Sequence, residues 1–297
     1  MKITPLHVLA FATSYGCVSV FTGAALAEGA GSATVLLMRG LGSAVLLWLA
    51  LVLSGKAWRL PPRERNRSLA IGLVLAGGNF CMVEAVREIP VPIAVLILYT
   101  FPILTALASA LLGRESLTGR MLFALVMAFA GLAIIVHARI DDYTLKGIVL
   151  AFGASVAFST VLILQSLVFK DGDPMRRTLH MLLTVAAVMI VTCALSGGIQ
   201  LPTSIFGLAT LSAIPIAYVL GITGLFMAAR AIGPARTSLF MNFEPVAAAI
   251  LAALLLGQTL TLVQIGGAAI VLLALLIARG PPQRQFAAAT TATGEPP

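Results

Sequence analysis

Long apolar runs separated by short polar connectors fill the sequence from Leu6 to Ala278. A run of about 17 to 25 such residues is long enough to cross the hydrocarbon core of a bilayer as one helix. The pattern predicts ten spans with soft ends, at 6–27, 33–54, 68–86, 91–112, 119–137, 146–168, 178–197, 205–229, 235–256 and 262–278. Five precede the Asp141-Asp142 loop and five follow it.

The two sets of five are related. The segment Ala85 to Thr118 recurs without gaps from Ala228 to Thr261: Arg87 falls on Arg230, Ile89 on Ile232, Pro102 on Pro245, Ala106 on Ala249 and Leu117-Thr118 on Leu260-Thr261. Five is odd, so the second copy enters the membrane from the opposite side. The expected fold is therefore an all-α integral membrane protein of ten transmembrane helices built from two inverted five-helix repeats, an architecture suited to alternating access. The repeats are expected at residues 1–138 and 139–278, followed by a disordered cytoplasmic tail at 279–297 whose Thr, Ala and Pro-rich sequence has no packing face.

Composition excludes a water-soluble domain, since 60% of residues are hydrophobic and only 10% charged. Charge sets the orientation. With the amino terminus inside, the opposite side receives only Arg87, Arg139 and Lys146, Arg39 falls within span two, and every other Lys or Arg is cytoplasmic. Both termini are thus expected in the cytoplasm of a bacterial inner membrane. The net charge of +8 is explained by topology and the anionic inner leaflet, with no nucleic acid as partner. Ala25-Leu26-Ala27 resembles a signal-peptidase site, but the apolar run before it is too long for a signal peptide and reads as a retained span. Cys17, Cys81 and Cys193 all lie in predicted spans, so no disulfide is expected. His7, His137 and His180 lie near span ends without metal-ligand spacing, so neither metal nor cofactor is expected.

Polar groups at mid-span carry the functional signal, because an unpaired polar group facing lipid is costly and such groups converge on an interior or on water. They are Ser14 and Tyr15, Asn79, Tyr99, Ser155 and Ser159, Tyr218, and Asn242 and Glu244. Tyr15, Asn79, Tyr99, Ser159, Tyr218, Asn242 and Glu244 are the candidate substrate-binding set, although a serine hydroxyl also bonds readily to its own helix carbonyl. Glu244 is the sharpest, since a mid-span carboxylate costs about 2.5 to 3.5 kcal/mol to insert. It can be protonated, accept hydrogen bonds at the Pro245 break, or bind a substrate ammonium. Pro102, Pro215 and Pro245 are candidate hinges, with simple packing kinks as the alternative. Arg39, read as lying shallowly in span two, needs an acidic partner, and Glu28, Glu84 and Glu88 at the outward span ends complete a candidate outer ion-pair cluster, either structural or gating.

The motif Leu111-Leu112-Gly113-Arg114-Glu115-Ser116-Leu117-Thr118 after Pro102, echoed by Leu255-Leu256-Gly257-Gln258-Thr259-Leu260-Thr261 after Glu244-Pro245, resembles the paired EamA repeats of the drug/metabolite transporter superfamily. The resemblance covers about Leu6 to Ala278 and is greatest to the YddG-type exporters of aromatic and other neutral amino acids. It implies that helices one, three, four, six, eight and nine surround a central cavity. Gln258 departs from the glutamate often found there in the second repeat.

Enzyme signatures are missing from the sequence: there is no His-Glu-x-x-His, Gly-x-Ser-x-Gly, Gly-Lys-Ser/Thr loop or Cys-x-x-Cys. The expected activity is secondary transport, exporting neutral, aromatic or other apolar amino acids. The alternative is export of other small metabolites or amphipathic drugs by the same architecture. The expected partners are the small-molecule substrate, the lipid bilayer and, in one version, protons, with the chain acting as a monomer.

Overall fold

The computed structural model describes residues 3–136, 144–168 and 173–278. The Asp141-Asp142 loop, His137, Arg139, the repeat boundary at 138 and the tail from 279 to 297 lie outside the described residues.

Helix starts follow from proline and short polar residues. The first helix, α1 (Pro5–Ala27), opens on a proline, where the missing N–H costs nothing, and Thr4 and His7 cap it reciprocally. The second pass is α2 (Ser32–Leu37), one π-helical turn (Met38–Gly42) and α3 (Ser43–Leu53). Then come α4 (Pro62–Glu88), α5 (Val91–Leu98), α6 (Phe101–Leu111) and α7 (Gly119–Val136). In the second half, α8 (Leu145–Val168) precedes α9 (Pro174–Leu195), which Asp173 caps by accepting from the Met175 N–H at 2.9 Å. Ser204 caps α10 (Ile205–Ile232) in the same way through Gly207, and α11 (Pro234–Met241), α12 (Phe243–Leu256) and α13 (Leu262–Ala278) complete the bundle.

Among the described residues nine helical passes are long and apolar enough to cross a membrane, counting 32–53, 91–111 and 234–256 as one pass each. The last helix, α13, is shorter at 17 residues. Trp48, Leu73, Phe80, Val126, Phe152 and Val191 are exposed on the outer faces of the bundle. A continuous apolar exterior of this kind is stable only against lipid. The chain is a multi-pass membrane protein.

The two halves interlock. The first helix, α1, lies along α10 and α12, while α8 lies along α4, α5 and α6. Each half thus receives the leading helix of the other. The main core collects where α1, α4, α9 and α10 meet, around Leu75, Leu182, Ile214 and Tyr218. A second core joins α7 to α13, which cross at Gly131 and Gly267. A Cβ on either glycine would fall within 2.8 Å of the other's carbonyl oxygen, the close backbone approach that small residues permit in membranes.

The two ends of the bundle differ. Helix α6 packs closely on α11, whereas α5 and α12, their counterparts at the 143-position offset, barely meet. The bundle is therefore closed where α6 ends and open where α12 ends.

Candidate substrate site

Two helix breaks build the site. A proline cannot donate to the carbonyl four residues back and its ring crowds that carbonyl. Four residues before Pro102 is Leu98, the last residue of α5, and four before Pro245 is Met241, the last of α11. The turns that follow place Tyr99 and Thr100 between α5 and α6, and Asn242 between α11 and α12. Pro215 behaves differently: α10 runs through it unbroken, and Ser43 donates to its carbonyl oxygen at 3.4 Å.

Glu244 sits in the first turn of α12, where the partial positive charge of a helix N-terminus favours a carboxylate. Ser19 of α1 donates to its Oε1 at 3.4 Å, and the Tyr99 hydroxyl is turned toward the same carboxylate. Arg39, on the π-helical turn, reaches inward until its guanidinium carbon lies 4.4 Å from the centre of the Tyr218 ring on α10. Tyr15 of α1 meets Tyr218 edge to face, with centroids 5.7 Å apart and planes at 81°. The ring of Tyr15 fits against α10 because residue 221 is glycine, where a Cβ would stand 2.7 Å from Tyr15 Cδ2. Arg39 and Glu244 lie within electrostatic reach of one another without forming a contact ion pair.

Ser19 also lies at the inner end of a cavity of about 550 Å³ between α1 and α12, walled by small apolar residues including Ala24, Ala27, Ala248 and Ala252 and rimmed by Glu28 and Gln258. That volume is within the range of small-molecule sites. Gly16 brings α1 against α12 beneath it; a Cβ there would be 3.0 Å from the Ala248 nitrogen and 3.1 Å from the Glu244 carbonyl oxygen.

The expected site residues divide. Tyr15, Tyr99, Tyr218 and Glu244 come together. Ser159 is turned away, accepting from Thr105 at 3.0 Å, and Ser155 pairs with Thr100 at 2.8 Å. Both serines tie α8 to the segment around the first break. Asn242 donates to the Leu239 carbonyl oxygen at 2.9 Å and finishes α11. Asn79 is partly exposed on α4. The expected outer cluster does not assemble around Arg39. Glu84 pairs with Arg87 at 2.7 Å, Glu88 with Lys146 at 2.6 Å, and Glu28 lines the cavity. Arg87 and Lys146 satisfy Glu84 and Glu88, and the π-helical turn aims Arg39 into the bundle rather than toward its outer end.

Two participants escaped the sequence reading. Ser19 stands one helical turn after Tyr15, so the i, i+4 rule places it on the same face. Glu115 stands in the repeated motif, whose spacing names no partner for it; it bonds to the first turn of α11. Among the described residues no three His, Cys, Asp or Glu side chains gather in one place.

The EamA-like transporter family model matches the chain twice, over residues 3–137 and 145–280. The chain belongs to the EamA-like transporter family. This EamA-like protein is also similar to the uncharacterized transporter YyaM of Bacillus subtilis (strain 168), with 25% identity over 251 residues, covering 81% of this chain and 82% of that one. A solved crystal structure shares its fold with a TM-score of 0.79 at 17% identity, covering 92% of this chain and 96% of the other. Transport is therefore its activity class.

Proposed function

We propose that this EamA-like transporter exports neutral amino acids, principally those with aromatic or other apolar side chains, across the cytoplasmic membrane by alternating access. In this reading ten transmembrane helices form two inverted five-helix repeats, 1–138 and 139–278, both termini are cytoplasmic, and the monomer is the working unit. The observation that carries it is the Glu244 carboxylate, set at the start of a broken helix beside Ser19, Tyr99 and Arg39 in an otherwise apolar bundle. A charge in that place needs an offsetting purpose, and a substrate ammonium supplies one. The tyrosines and the alanine-rich cavity suit an apolar side chain. The exchange of pairings at the 143-position offset, α1 with α10 and α8 with α4, supports a pseudo-twofold arrangement, and the single closed end supports an outward-open state.

The test is counterflow of a labelled amino-acid panel into proteoliposomes, with and without a pH gradient. Exchange of aromatic and branched apolar amino acids by the wild type, and its slowing in Glu244→Gln protein that still folds, is the expected result. Exchange confined to phosphorylated or cationic solutes would remove the amino-acid reading. Wild-type flux in Glu244→Gln would remove Glu244 from transport. Stimulation by the pH gradient would separate proton coupling from uniport.

A further inference from the structure

Arg39 and Glu244 bring opposite charges into the interior of the bundle. Opposite charges withdrawn from water gain by meeting, and each is costly when left apart. Here they share one interior site yet do not close, although arginine is long and flexible. Each is held by something else: Arg39 by the face of Tyr218 and its π-helical turn, Glu244 by Ser19 and the N-terminus of α12. Beside Glu244 the buried Nε of Arg39 has no hydrogen-bond partner among the described residues, and the hydroxyls of Tyr15 and Tyr218 meet one another and the guanidinium only in poor hydrogen-bond geometry. A buried guanidinium N–H left unused beside a carboxylate it does not reach has room for an acceptor from outside the chain.

We infer that Arg39 and Glu244 are a zwitterion-reading pair, Arg39 taking the α-carboxylate of the substrate and Glu244 its α-ammonium. The inference deepens the amino-acid export reading and rests on it. The chemistry fits in three respects. The guanidinium presents a planar edge of N–H donors that matches a carboxylate in bidentate fashion, and its Nε is the unused member of that edge. The pair sums to zero charge, so a zwitterion leaves no residual charge in the membrane interior. A bare amine leaves Arg39 facing an empty gap, and a bare carboxylate leaves Glu244 beside a second negative charge. The bound head group also bridges two irregular backbone segments, the π-helical turn of the second pass and the break that begins α12. A contact made there alters both at once. Tyr15 and Tyr218 pack edge to face beside Arg39, and Ser19, which donates to Glu244, also lines the alanine-walled cavity that is left for the side chain. Arg39 and Glu244 thus decide the head group, and the cavity decides the side chain.

The experiment uses full-length protein in proteoliposomes and compares three competitors of labelled aromatic amino-acid counterflow: the unlabelled amino acid, its α-amide, and the same molecule lacking the amino group. The wild type should prefer the amino acid over each analogue by about tenfold or more, the size expected for one lost charged hydrogen bond. Arg39→Gln should weaken amino-acid competition and lose most of the preference over the amide, while keeping the preference over the des-amino acid. Glu244→Gln should show the reverse pattern, and Arg39→Lys should recover part of the lost preference. Substrate-induced thermal stabilisation of the wild type with the same three compounds gives the answer independently of whether a variant folds. Equal competition by the amino acid and its amide in the wild type, or wild-type preference ratios in both variants, overturns the pairing. A wild type that exchanges no amino acid at all overturns the export reading itself, which is a different result.

Discussion

Glu115, in the connector after α6, caps a helix in the other half of the chain: its Oε1 accepts the Ala235 N–H at 3.0 Å, and the carboxylate also takes the N–H of Arg236. Gly233, with φ of 92°, makes room for it, because a Cβ there would stand 2.6 Å from the carboxyl carbon. This contact joins α6 to α11 at the closed end of the bundle. At the open end the matching Gln258 rims the cavity, and the matching helix start, α5, carries Pro90 and Pro92, which have no N–H to offer. The cap is one-sided, and the bundle is closed on the capped side. Glu115→Ala should cost about 0.5 to 2 kcal/mol of stability and raise the reactivity of a cysteine placed at the buried Ser238 of α11 toward aqueous thiol reagents. Unchanged labelling would show that the cap does not hold that end shut.

The same residue predicts a pH effect. Burial pushes the Glu115 carboxyl above its ordinary range, against the two N–H donors and the Arg236 charge, which pull it down. A carboxyl raised in the folded state favours folding when protonated. That contribution is complete below the unfolded pKa of about 4.3 and is lost as pH rises through the folded value. Wild-type thermal stability should therefore fall relative to Glu115→Gln, which cannot titrate, as pH rises from acid to neutral. Parallel curves for the two proteins would contradict this.

Pro102 and Pro245 make the breaks that carry Tyr99 and Glu244. Replacing either with Ala restores the backbone donor and allows α5 to run into α6, or α11 into α12. The expected outcome is a several-fold fall in transport rate with substrate Kd little changed, read by comparing counterflow with equilibrium binding. A normal rate would reduce the prolines to packing kinks.

Ser159 and Thr105 are both buried and pair across α8 and α6 at 3.0 Å. Ser159→Ala and Thr105→Ala should each cost about 1 kcal/mol, with a coupling energy of about 0.5 kcal/mol or more in the double-mutant cycle. Substrate affinity should stay unchanged. A shifted Kd in Ser159→Ala would return that serine to the substrate site.

Gly16 lets α1 touch the backbone of α12 next to Glu244. Gly16→Val should destabilise by about 1 to 3 kcal/mol through overpacking and lower affinity by displacing Ser19, measured as a fall in melting temperature together with a rise in Kd.

The proposed inverted arrangement is open to direct labelling. Single cysteines at Gly55 and Gly113 should react from one side of the membrane, and cysteines at Ser196 and Gly257 from the other. Reaction of Gly55 and Ser196 from the same side would end the alternation on which the repeats depend.

Much of this was legible in the chain. The apolar runs marked the long helices, because span length and backbone satisfaction in lipid are local requirements. The breaks were legible at Pro102 and Pro245, since a proline acts on the carbonyl four residues before it wherever the helix sits. The polar set Tyr15, Tyr99, Tyr218 and Glu244 could be picked out because an isolated polar residue inside an apolar run has few explanations. The direction of Arg39 could not be read, since the π-helical turn at 38–42 shifts the helical phase and the carboxylates assigned to it found closer cations in Arg87 and Lys146.

Sequence alone determined that this is a helical membrane protein with a doubled pattern and a charged residue in its interior, because hydrophobic length and proline chemistry act over a few residues. Tertiary structure decided which polar groups meet. Ser159 joined Thr105, Glu115 joined Ala235, and Arg39 came within electrostatic reach of Glu244 without forming an ion pair, since each pairing unites residues more than fifty positions apart and depends on how whole helices pack.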